Sequence, residues 1–334
     1  MAGSPAGGAE LFFERLSIAL AADGVEILPL IRRNAGRAER LREGGLAPVE
    51  LRFGGRLDLF TRPAIRRALA TFSPRVAIAW MSRAARMTPE GDHVLAGRLG
   101  GFYDLGHYRH CDHLIGNTHG IVRWIREQGW PAERVHYLPN FAAELSGAAP
   151  ARPASVPAGA KLVLALGRLH RNKAFDVLIR TMPLLPGVHV LIAGEGPERE
   201  ALQALARSEG VADRLHMPGW AQHTAGLVAA CDVLVCPSRH EPLGNVVIEG
   251  FSGARPVVAA RAQGPVELIH DGEDGVLAAL EDPRALAEAL ASVLDDPVRA
   301  AGLAAAGRAR FEQEFAVRPV LDRWHDFLQR AEKI

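Results

Sequence analysis

The chain has 334 residues, which exceeds one ordinary domain and suits two, and a hydrophobic content of 48% is enough for a core in each. No apolar run approaches the ~18 residues that a membrane-spanning helix needs, and no signal-peptide pattern is present, so we expect neither. The three cysteines, Cys111, Cys231 and Cys236, have neither disulfide-framework nor metal-ligand spacing, so we expect a reducing, cytoplasmic setting.

Charge is distributed unevenly, because the first 150 residues are net basic and the remainder is net acidic. Arginines bunch in two segments of the first half: Arg32, Arg33, Arg37, Arg40 and Arg42, then Arg62, Arg66 and Arg67. Such bunches are usually solvated faces, but they could also contact a phosphorylated glycolipid or hold the protein peripherally on an anionic membrane, at the inner face of the plasma membrane. Aromatic residues do not alternate with these arginines, so nucleic acid is not an expected partner.

A glycine-rich turn containing Gly7 and Gly8 opens a predicted helix over 11–22, and only three residues precede the turn. In a doubly wound domain such a turn follows the first, central strand. We expect that this strand lies upstream of Met1, because a domain that lacked it would keep two unpaired sheet edges. The alternative is that this domain has lost the strand.

Strands and helices alternate through the rest of the first half, which predicts a parallel sheet. The predicted strands are 25–30, 49–53 and 76–80, and the predicted helices are 37–43 and 63–71. Next, a strand and loop at 93–101 carry Arg98 beside two glycines, where a guanidinium could hold a phosphate or an acidic acceptor.

A dense polar cluster follows, made of His107, His110, Cys111, Asp112 and His113. A metal site is conceivable there. However, the cluster runs straight into a predicted strand at 114–116, on which the ligands would diverge, so ordinary hydrogen-bonded histidines are the favoured interpretation. A helix is predicted over 120–128 and a strand over 135–138. Residues 142–160, rich in Ala, Pro, Ser and Gly, are predicted to be an interdomain linker.

In the second half, a predicted strand at 162–166 ends before Arg168, and Lys173 precedes a helix over 175–182. Cations that follow a strand's carboxyl end are well placed to meet a ligand's phosphates at the crevice of an α/β sheet. Arg168 offers a planar fork and Lys173 a point charge.

The next predicted strand, 188–192, is followed by a Gly-Glu-Gly-Pro segment that includes Gly196. The segment is similar to a nicotinamide-binding fingerprint, but Arg199 stands where the third glycine belongs, so the fingerprint fails. A further strand at 215–220 contains Gly219 and Trp220, and the indole could either stack on a ligand or cap the core.

The stretch from Glu241 to Glu249 lies between a predicted buried strand, 231–236, and a predicted helix, 246–252. Pro242 suits the first helical turn, and Gly253 suits a left-handed end. Gly244 and Asn245 lie where the free amides of a helix point outward, which favours an anion. Glu241 and Glu249 can accept hydrogen bonds from sugar hydroxyls. The predicted ligand is therefore a sugar joined to a phosphate.

This stretch resembles the Glu-x7-Glu signature of the retaining GT-B glycosyltransferases called family 4. The resemblance continues through 253–259 and 264–269 and reaches back to 167–169, Lys173 and 194–197. It implies an α/β fold with two Rossmann-like, doubly wound domains facing across a cleft. The implied domains are 1–150 for the acceptor, 151–315 for the sugar nucleotide, and 316–334, where an amphipathic helix over 317–333 returns to the first domain.

The resemblance also implies roles for individual residues. Arg168 and Lys173 would neutralise the diphosphate, Glu241 would face the transferred sugar, and Glu249 would hold the ribose hydroxyls. The remaining donor residues implied are Leu243, Gly244, Asn245, Gly196, Gly219 and Trp220, the last three beside the nucleobase. Gly7 and Gly8 resemble the family loop that approaches the phosphates and the acceptor. Where the family often has a histidine, this chain has Arg98 and its neighbours, so no histidine role is carried over.

The predicted function is transfer of a sugar, with retention, from a nucleotide-diphosphate sugar to an acceptor hydroxyl, in synthesis of a cell-envelope glycan or lipopolysaccharide. No covalent nucleophile stands out, and Asp295 and Asp296 are adjacent rather than in an Asp-x-Asp motif, so we expect neither a metal nor another cofactor. The alternatives are a non-catalytic sugar-nucleotide-binding protein and another GT-B enzyme, such as an epimerase or a pyridoxal phosphate-dependent phosphorylase.

Overall fold

The computed structural model describes residues 1–3, 7–54, 58–221 and 223–333. They form two compact units, one of Met1–Phe141 with Val317–Ile334 and the other of Ala142–Ala316. Residues 142–150, which the sequence analysis assigned to the first domain, belong to the second unit. Each unit is built on parallel strands with helices between them, as the α/β prediction requires.

The described part of the first unit contains a two-stranded sheet, β1-β2, and a four-stranded sheet, β3-β4-β5-β6, both parallel. Its strands are β1 (Leu30–Arg32), β2 (Val49–Leu51), β3 (Val76–Trp80), β4 (Val94–Leu99), β5 (His113–Gly116) and β6 (Val135–Tyr137). Its helices are α1 (Gly8–Ala22), α2 (Ala35–Glu43), α3 (Thr61–Phe72), α4 (Met81–Met87), α5 (His119–Glu127) and, from the end of the chain, α13 (Val317–Arg330).

The four-stranded sheet is buried on both faces. Val94 and Ala96 of β4 pack in a cluster with α1 and α13, whereas Leu95 and Leu99 pack in a second cluster with α4 and α5. Trp324 of α13 is completely buried in the first cluster. The terminal helix predicted from its apolar stripe is therefore part of the core of the first unit.

Two elements of the first unit differ from the sequence predictions. The first predicted strand begins only at Leu30, since Pro29 lacks the N–H that a strand interior donates. Helix α4 was not predicted, because it follows β3 without any turn residue.

Beside β1, the amino group of Met1 donates to the carbonyl of Leu30 at 2.7 Å, and the carbonyl of Met1 accepts from the amide of Arg32 at 2.9 Å. This is the hydrogen bonding of a neighbouring parallel strand. The strand expected upstream of the turn stays a prediction.

The second unit has a parallel sheet with the strand order β12-β11-β10-β7-β8-β9. Its strands are β7 (Lys161–Leu166), β8 (Val188–Ala193), β9 (Leu215–Gly219), β10 (Val233–Cys236), β11 (Val257–Ala260) and β12 (Val276–Ala278). Its helices are α6 (Phe175–Thr181), α7 (Arg199–Ser208), α8 (Thr224–Ala230), α9 (Asn245–Ser252), α10 (Pro265–Leu268), α11 (Pro283–Leu294) and α12 (Pro297–Arg310). This is the doubly wound Rossmann order, which reverses between β7 and β10.

Alternate residues of β7 enter different cores, as expected of a strand covered on both faces. Val163 and Ala165 pack with α6 and α11, whereas Leu162 and Leu164 pack with α8 and α9. Both faces of the sheet are therefore apolar, and polar chemistry is left to the loops at the strand ends.

Helix α9 confirms the helix predicted over 246–252, but Pro242 is not in its first turn. It starts at Asn245, so Pro242 lies in the preceding loop. The left-handed residue is Gly244, with φ of 94°, at the amino-terminal end of the helix, and Gly253 has an ordinary φ of −80°. The prediction of a left-handed Gly253 is therefore wrong, and the residue with positive φ that follows it is Ala254.

Candidate functional site

The predicted site residues of the second unit follow four strands of one sheet. Arg168 comes after β7, Gly196 after β8, Trp220 after β9 and Glu241 after β10. Because the carboxyl ends of parallel strands share one edge, these residues gather at that edge. Its centre is the point between β7 and β10 where the strand order reverses and ligands bind in folds of this kind.

Lys173 and Glu241 form an ion pair, although 68 positions separate them in the chain. The ammonium group donates a hydrogen bond to Oε2 of the glutamate, and the two side chains are 25% and 13% exposed. Burial by itself would lower the pKa of Lys173, but the negative charge of Glu241, with help from Cys236 and Glu249, outweighs it and raises the pKa. Lys173 is therefore a cation paired with Glu241 and stabilised further by the charge of Glu249.

Ser238 also holds Glu241. Its hydroxyl donates to Oε2 of the glutamate at 3.2 Å and accepts a long hydrogen bond, 3.7 Å, from the thiol of Cys236. Ser238 is only 1% exposed. The sequence gives no signal for Ser238 as a site residue, because a serine after a strand is most often an ordinary turn residue.

Arg239 joins the turn that carries Lys173 to the turn that carries Glu241. Its guanidinium makes two bonds to the carboxylate of Asp176, at 2.9 and 3.1 Å, and donates to the carbonyl of Arg171. Its backbone amide donates to the carbonyl of Asn172 at 3.0 Å. These bonds fix the segments before Lys173 and before Glu241 together, and the sequence analysis did not identify them.

Gly264 supports the loop between Glu241 and α9. Its amide donates to the carbonyl of Glu241 at 2.7 Å. A Cβ atom at Gly264 would come within 2.0 Å of the carbonyl oxygen of Leu243, so this contact requires glycine. Leu243 is buried, and Gly244 then turns the chain through a left-handed conformation into Asn245. The loop therefore presents the first-turn amides of α9 at the strand edge.

The loop after β8 packs directly on the loop after β7. A Cβ at Gly196 would come within 2.3 Å of the carbonyl oxygen of Leu169, whose own amide bonds the carbonyl of Glu195 at 2.9 Å. The Gly-Glu-Gly segment is thus a backbone contact between two strand ends. The glycines of this segment are therefore explained by close backbone packing, and no nicotinamide cofactor is needed to account for them.

Trp220 lies next to Gly219, whose φ of 99° needs a residue without a side chain. The indole is 62% exposed, so it does not cap the core. This removes one of the two roles that the sequence left open. The exposed ring is available for stacking.

Arg168 is exposed and takes part in no ion pair among the described residues, in contrast to Lys173. Asn245 and Glu249 are partly buried on α9, one turn apart on the same face of the helix, and each has an interaction partner. The structure therefore places Lys173, Glu241 and Glu249 within electrostatic reach of one another.

In the first unit, Gly7 immediately precedes α1 and Gly8 is its first residue. Residues 4–6 of the glycine-rich turn lie outside the described residues. The assignment of this turn to the acceptor or to phosphate stays a prediction.

Arg98 lies within β4 and is 1% exposed. Its guanidinium donates to Oδ1 of Asn140 at 2.5 Å, and its central carbon lies 4.3 Å from the ring centroid of Trp80 and 5.0 Å from that of Phe12. Burial lowers the pKa of Arg98 to about 9. The guanidinium is therefore packed inside the first unit, and its predicted contact with a phosphate or acceptor stays a prediction.

The histidine-rich cluster is divided among separate partners. His110 bonds backbone carbonyls of Ala85 and Thr88, and His113 bonds His136. Among the described residues, no three His, Cys, Asp or Glu side chains are placed to hold a metal ion. In the same part of the chain, no helix is long and apolar enough to cross a membrane.

The site can stabilise opposite charges over a short distance. Lys173, Arg168 and the amide end of α9 suit a diphosphate, and Glu241 and Glu249 suit the hydroxyls of attached sugars. A chain of two α/β units, with this arrangement at the switch point of one of them, is typical of a glycosyltransferase of the GT-B class.

Comparison with known proteins gives the family. The model of glycosyl transferases group 1 matches residues 160–296. The chain is 33% identical over 327 residues to the lipopolysaccharide core biosynthesis glycosyltransferase LpsE of Rhizobium meliloti (strain 1021), covering 96% of each protein. It is also 33% identical over 337 residues to LpsD of that strain, covering 97% of this chain and 96% of LpsD. The chain belongs to the glycosyl transferases group 1 family.

The fold agrees with this assignment. The crystal structure of HepE from Anabaena in complex with UDP and glucose aligns with a TM-score of 0.82 at 20% identity, covering 98% of this chain and 97% of HepE. The predicted fold class, two Rossmann-like domains of the GT-B type, is confirmed.

Proposed function

We propose that the protein transfers a hexose from a nucleoside diphosphate sugar to a hydroxyl group of a lipopolysaccharide core acceptor, with retention of the anomeric configuration. The observation that carries the proposal is the Lys173–Glu241 pair at the switch point of the second unit's sheet. It sets a cation for the departing diphosphate against a carboxylate for the attached sugar. The names of LpsE and LpsD support the acceptor class.

The proposed reaction breaks the bond between the anomeric carbon and the diphosphate oxygen and forms a bond from that carbon to the acceptor oxygen. Negative charge grows on the diphosphate, and Arg168, Lys173 and the amides of α9 stabilise it. The proton of the acceptor hydroxyl passes to the departing diphosphate, which acts as the base. Retention follows because the acceptor attacks from the face that the diphosphate leaves.

The carboxylates hold the donor during this step. Glu241 accepts hydrogen bonds from hydroxyls of the transferred sugar and faces the positive charge that develops on its ring. Glu249 accepts from the ribose hydroxyls. When the donor binds, its diphosphate replaces Glu241 as the partner of Lys173. Its sugar replaces Lys173 as the partner of Glu241.

A uridine nucleotide is the first donor to test, since HepE was crystallised with UDP and glucose. In the proposed pose, Trp220 stacks on the base, and the backbone at Gly196 and Gly219 lies beside it. The reaction is proposed to need no metal or organic cofactor, because cationic side chains and helix amides supply the positive charge. The protein would act in the cytoplasm, where reducing conditions suit its three free cysteines.

The test is a thermal-shift screen of UDP-, GDP- and ADP-hexoses, followed by a transfer assay with lipopolysaccharide of truncated core in the presence of EDTA. We expect one nucleotide class to raise the melting midpoint, and NMR of the product to show the donor's anomeric configuration. Tight donor binding without transfer or hydrolysis would indicate a non-catalytic binding protein. Conversion of the donor without an acceptor would indicate an epimerase.

A further inference from the structure

The two oxygens of the Glu241 carboxylate have different surroundings. Oε2 accepts hydrogen bonds from the ammonium group of Lys173 and from the hydroxyl of Ser238, the latter at 3.2 Å. Oε1 accepts no hydrogen bond in the part of the chain that the structure describes. The protein therefore holds this side chain by Oε2, and Oε1 is the oxygen left to accept from a hydroxyl of a ligand.

Ser238 has one hydrogen to donate, and its surroundings direct that hydrogen to Glu241. The serine is 1% exposed, and its oxygen accepts a hydrogen bond of 3.7 Å from the thiol of Cys236, the last residue of β10. Burial raises the pKa of this thiol to about 11, so the thiol keeps its proton near neutral pH and acts as the donor. The hydroxyl hydrogen of Ser238 is thus left for the carboxylate.

The other donor to Oε2, Lys173, has a second task in the proposed function, on which this inference rests. During sugar transfer its ammonium group turns from Glu241 to the diphosphate. Lysine can make this change because its ammonium group is carried on a flexible stem. The hydroxyl of Ser238 is attached to a single side-chain carbon in a buried position, so it stays beside Oε2. In the donor complex, Ser238 is then the donor that remains on Oε2 among the described residues.

We propose that Ser238 is a positioning residue for sugar transfer. Its hydroxyl holds Oε2 of Glu241 after Lys173 has turned to the diphosphate, and so keeps Oε1 directed at the transferred sugar. Ser238 acts through Glu241 and contacts no substrate in this role. Without the hydroxyl, the carboxylate would be free to rotate, and Oε2 would lack its protein donor in the donor complex. Both changes weaken the stabilisation of the transition state.

The first test compares Ser238→Ala with a change at a buried serine outside the site. Ser252, at the end of α9, is completely buried, and its hydroxyl donates to the carbonyl of Ala143 at 2.6 Å. We expect Ser238→Ala to slow transfer by a factor of about 10 to 10². Its urea midpoint should change little, because Lys173 still bonds Oε2 in the free protein. Ser252→Ala should do the reverse, lowering the urea midpoint while transfer stays at the parent rate.

The second test asks whether Ser238 acts through Glu241. Ser238→Ala/Glu241→Ala should transfer sugar no more slowly than Glu241→Ala alone, because the serine then has no carboxylate to hold. Ser238→Thr, which keeps the hydroxyl, should recover most of the rate lost in Ser238→Ala. Calorimetry with the preferred sugar nucleotide repeats these comparisons without turnover, and the affinity for the donor should follow the same pattern.

Three results would overturn the proposal. They are transfer by Ser238→Ala at the parent rate, a further loss when Ser238→Ala is added to Glu241→Ala, and no recovery in a Ser238→Thr variant whose urea midpoint matches the parent's. A parent that binds the sugar nucleotide without transferring the sugar would refute the proposed function, whereas the calorimetric comparisons would still decide the role of Ser238. A parent that neither binds nor transfers would refute both.

Discussion

Lys173 donates a hydrogen bond to Glu241, so the cation expected to bind the diphosphate and the carboxylate expected to bind the attached sugar hold each other in place. Ser238 and Arg239 fix this arrangement from the side of the protein interior. The pair therefore has a defined geometry before any ligand arrives, which lowers the cost of organising the site.

Replacement of Glu241 by glutamine should lower the rate of sugar transfer by a factor of about 10² to 10³, because the charge that faces the developing cation is lost. The fold should persist, since the amide fills the same volume. Release of the nucleoside diphosphate at saturating donor measures the rate. Glu288→Gln, at an exposed position of α11, is the matched control. Turnover of Glu241→Gln close to that of the parent would refute the role assigned to this residue.

Replacement of Lys173 by methionine should affect both catalysis and stability. Transfer should slow by a factor of about 10² or more, because the departing diphosphate loses a cation. The free energy of unfolding should fall by about 1–3 kcal/mol, because Glu241 keeps a largely buried charge without its partner. Urea denaturation measures the second effect. A double variant, Lys173→Met/Glu241→Gln, should recover part of the stability, and failure to do so would mean that the pair does not stabilise the fold.

Arg168 should behave differently from Lys173, since it is exposed and makes no ion pair in the described part of the chain. Arg168→Ala should weaken donor binding by about tenfold and slow transfer, with the urea midpoint unchanged. Calorimetry with the preferred sugar nucleotide and with the nucleoside alone separates the phosphate contribution. If both ligands lose affinity equally, Arg168 does not contact the diphosphate.

Replacement of Gly264 by alanine should damage the site although residue 264 carries no functional group. The new methyl would have to displace the backbone of Leu243, which positions Glu241 and the start of α9. We expect loss of about 1–3 kcal/mol of stability and a donor affinity reduced at least about tenfold. Gly302→Ala is the control, because a Cβ at that position meets nothing within 4 Å. Equal behaviour of the two variants would mean that the Leu243 contact is unimportant.

The histidine pair of the first unit should make its stability depend on pH. Nε2 of His113 donates to the carbonyl of Glu332 at 2.8 Å, so its Nδ1 accepts from Nε2 of His136 at 3.0 Å. Burial, assisted by the nearby His113 and Arg126, lowers the pKa of His136 to about 4, against 6.5 in the unfolded chain.

Between those pH values the unfolded state binds more protons, so stability is full above about pH 6.5 and falls toward pH 4. The expected loss is about 1–2 kcal/mol, allowing for partial exposure of the ring. Thermal midpoints at pH 7.5 and 5 measure it. His136→Gln should show a smaller difference between the two pH values, whereas the exposed His223→Gln should match the parent. An unchanged difference in His136→Gln would contradict this assignment.

Much of the fold followed from apolar periodicity and from glycines at the strand ends. The central strands β7, β8 and β10 are near-continuous apolar runs, so their positions were predicted within a residue or two. The errors lie where local signals conflicted with tertiary structure. Pro242 is typical of a first helical turn, but the contact between Gly264 and Leu243 holds that segment in a loop.

The sequence allowed us to predict which site residues follow the carboxyl ends of the strands. Residues that follow parallel strands lie at one edge of the sheet, so the strand assignment placed Lys173 and Glu241 at the same edge, and the family resemblance placed them in one site. Ser238 and Arg239 could not be identified, because their roles depend on bond directions that no spacing encodes. The burial of Arg98 could not be predicted from the sequence either, because only the packing shows that its guanidinium contacts the rings of Trp80 and Phe12.

The neighbouring positions of β7 and β10 in the sheet have a consequence for how the protein is made. Lys173 leaves the ribosome long before Glu241. The two residues come together only when β10 pairs with β7, after two intervening βα units have been synthesised. A nascent chain halted before Glu241 would contain Lys173 but lack the carboxylate that pairs with it. Ligand capture by stalled chains of increasing length would therefore time the closure of this sheet during translation.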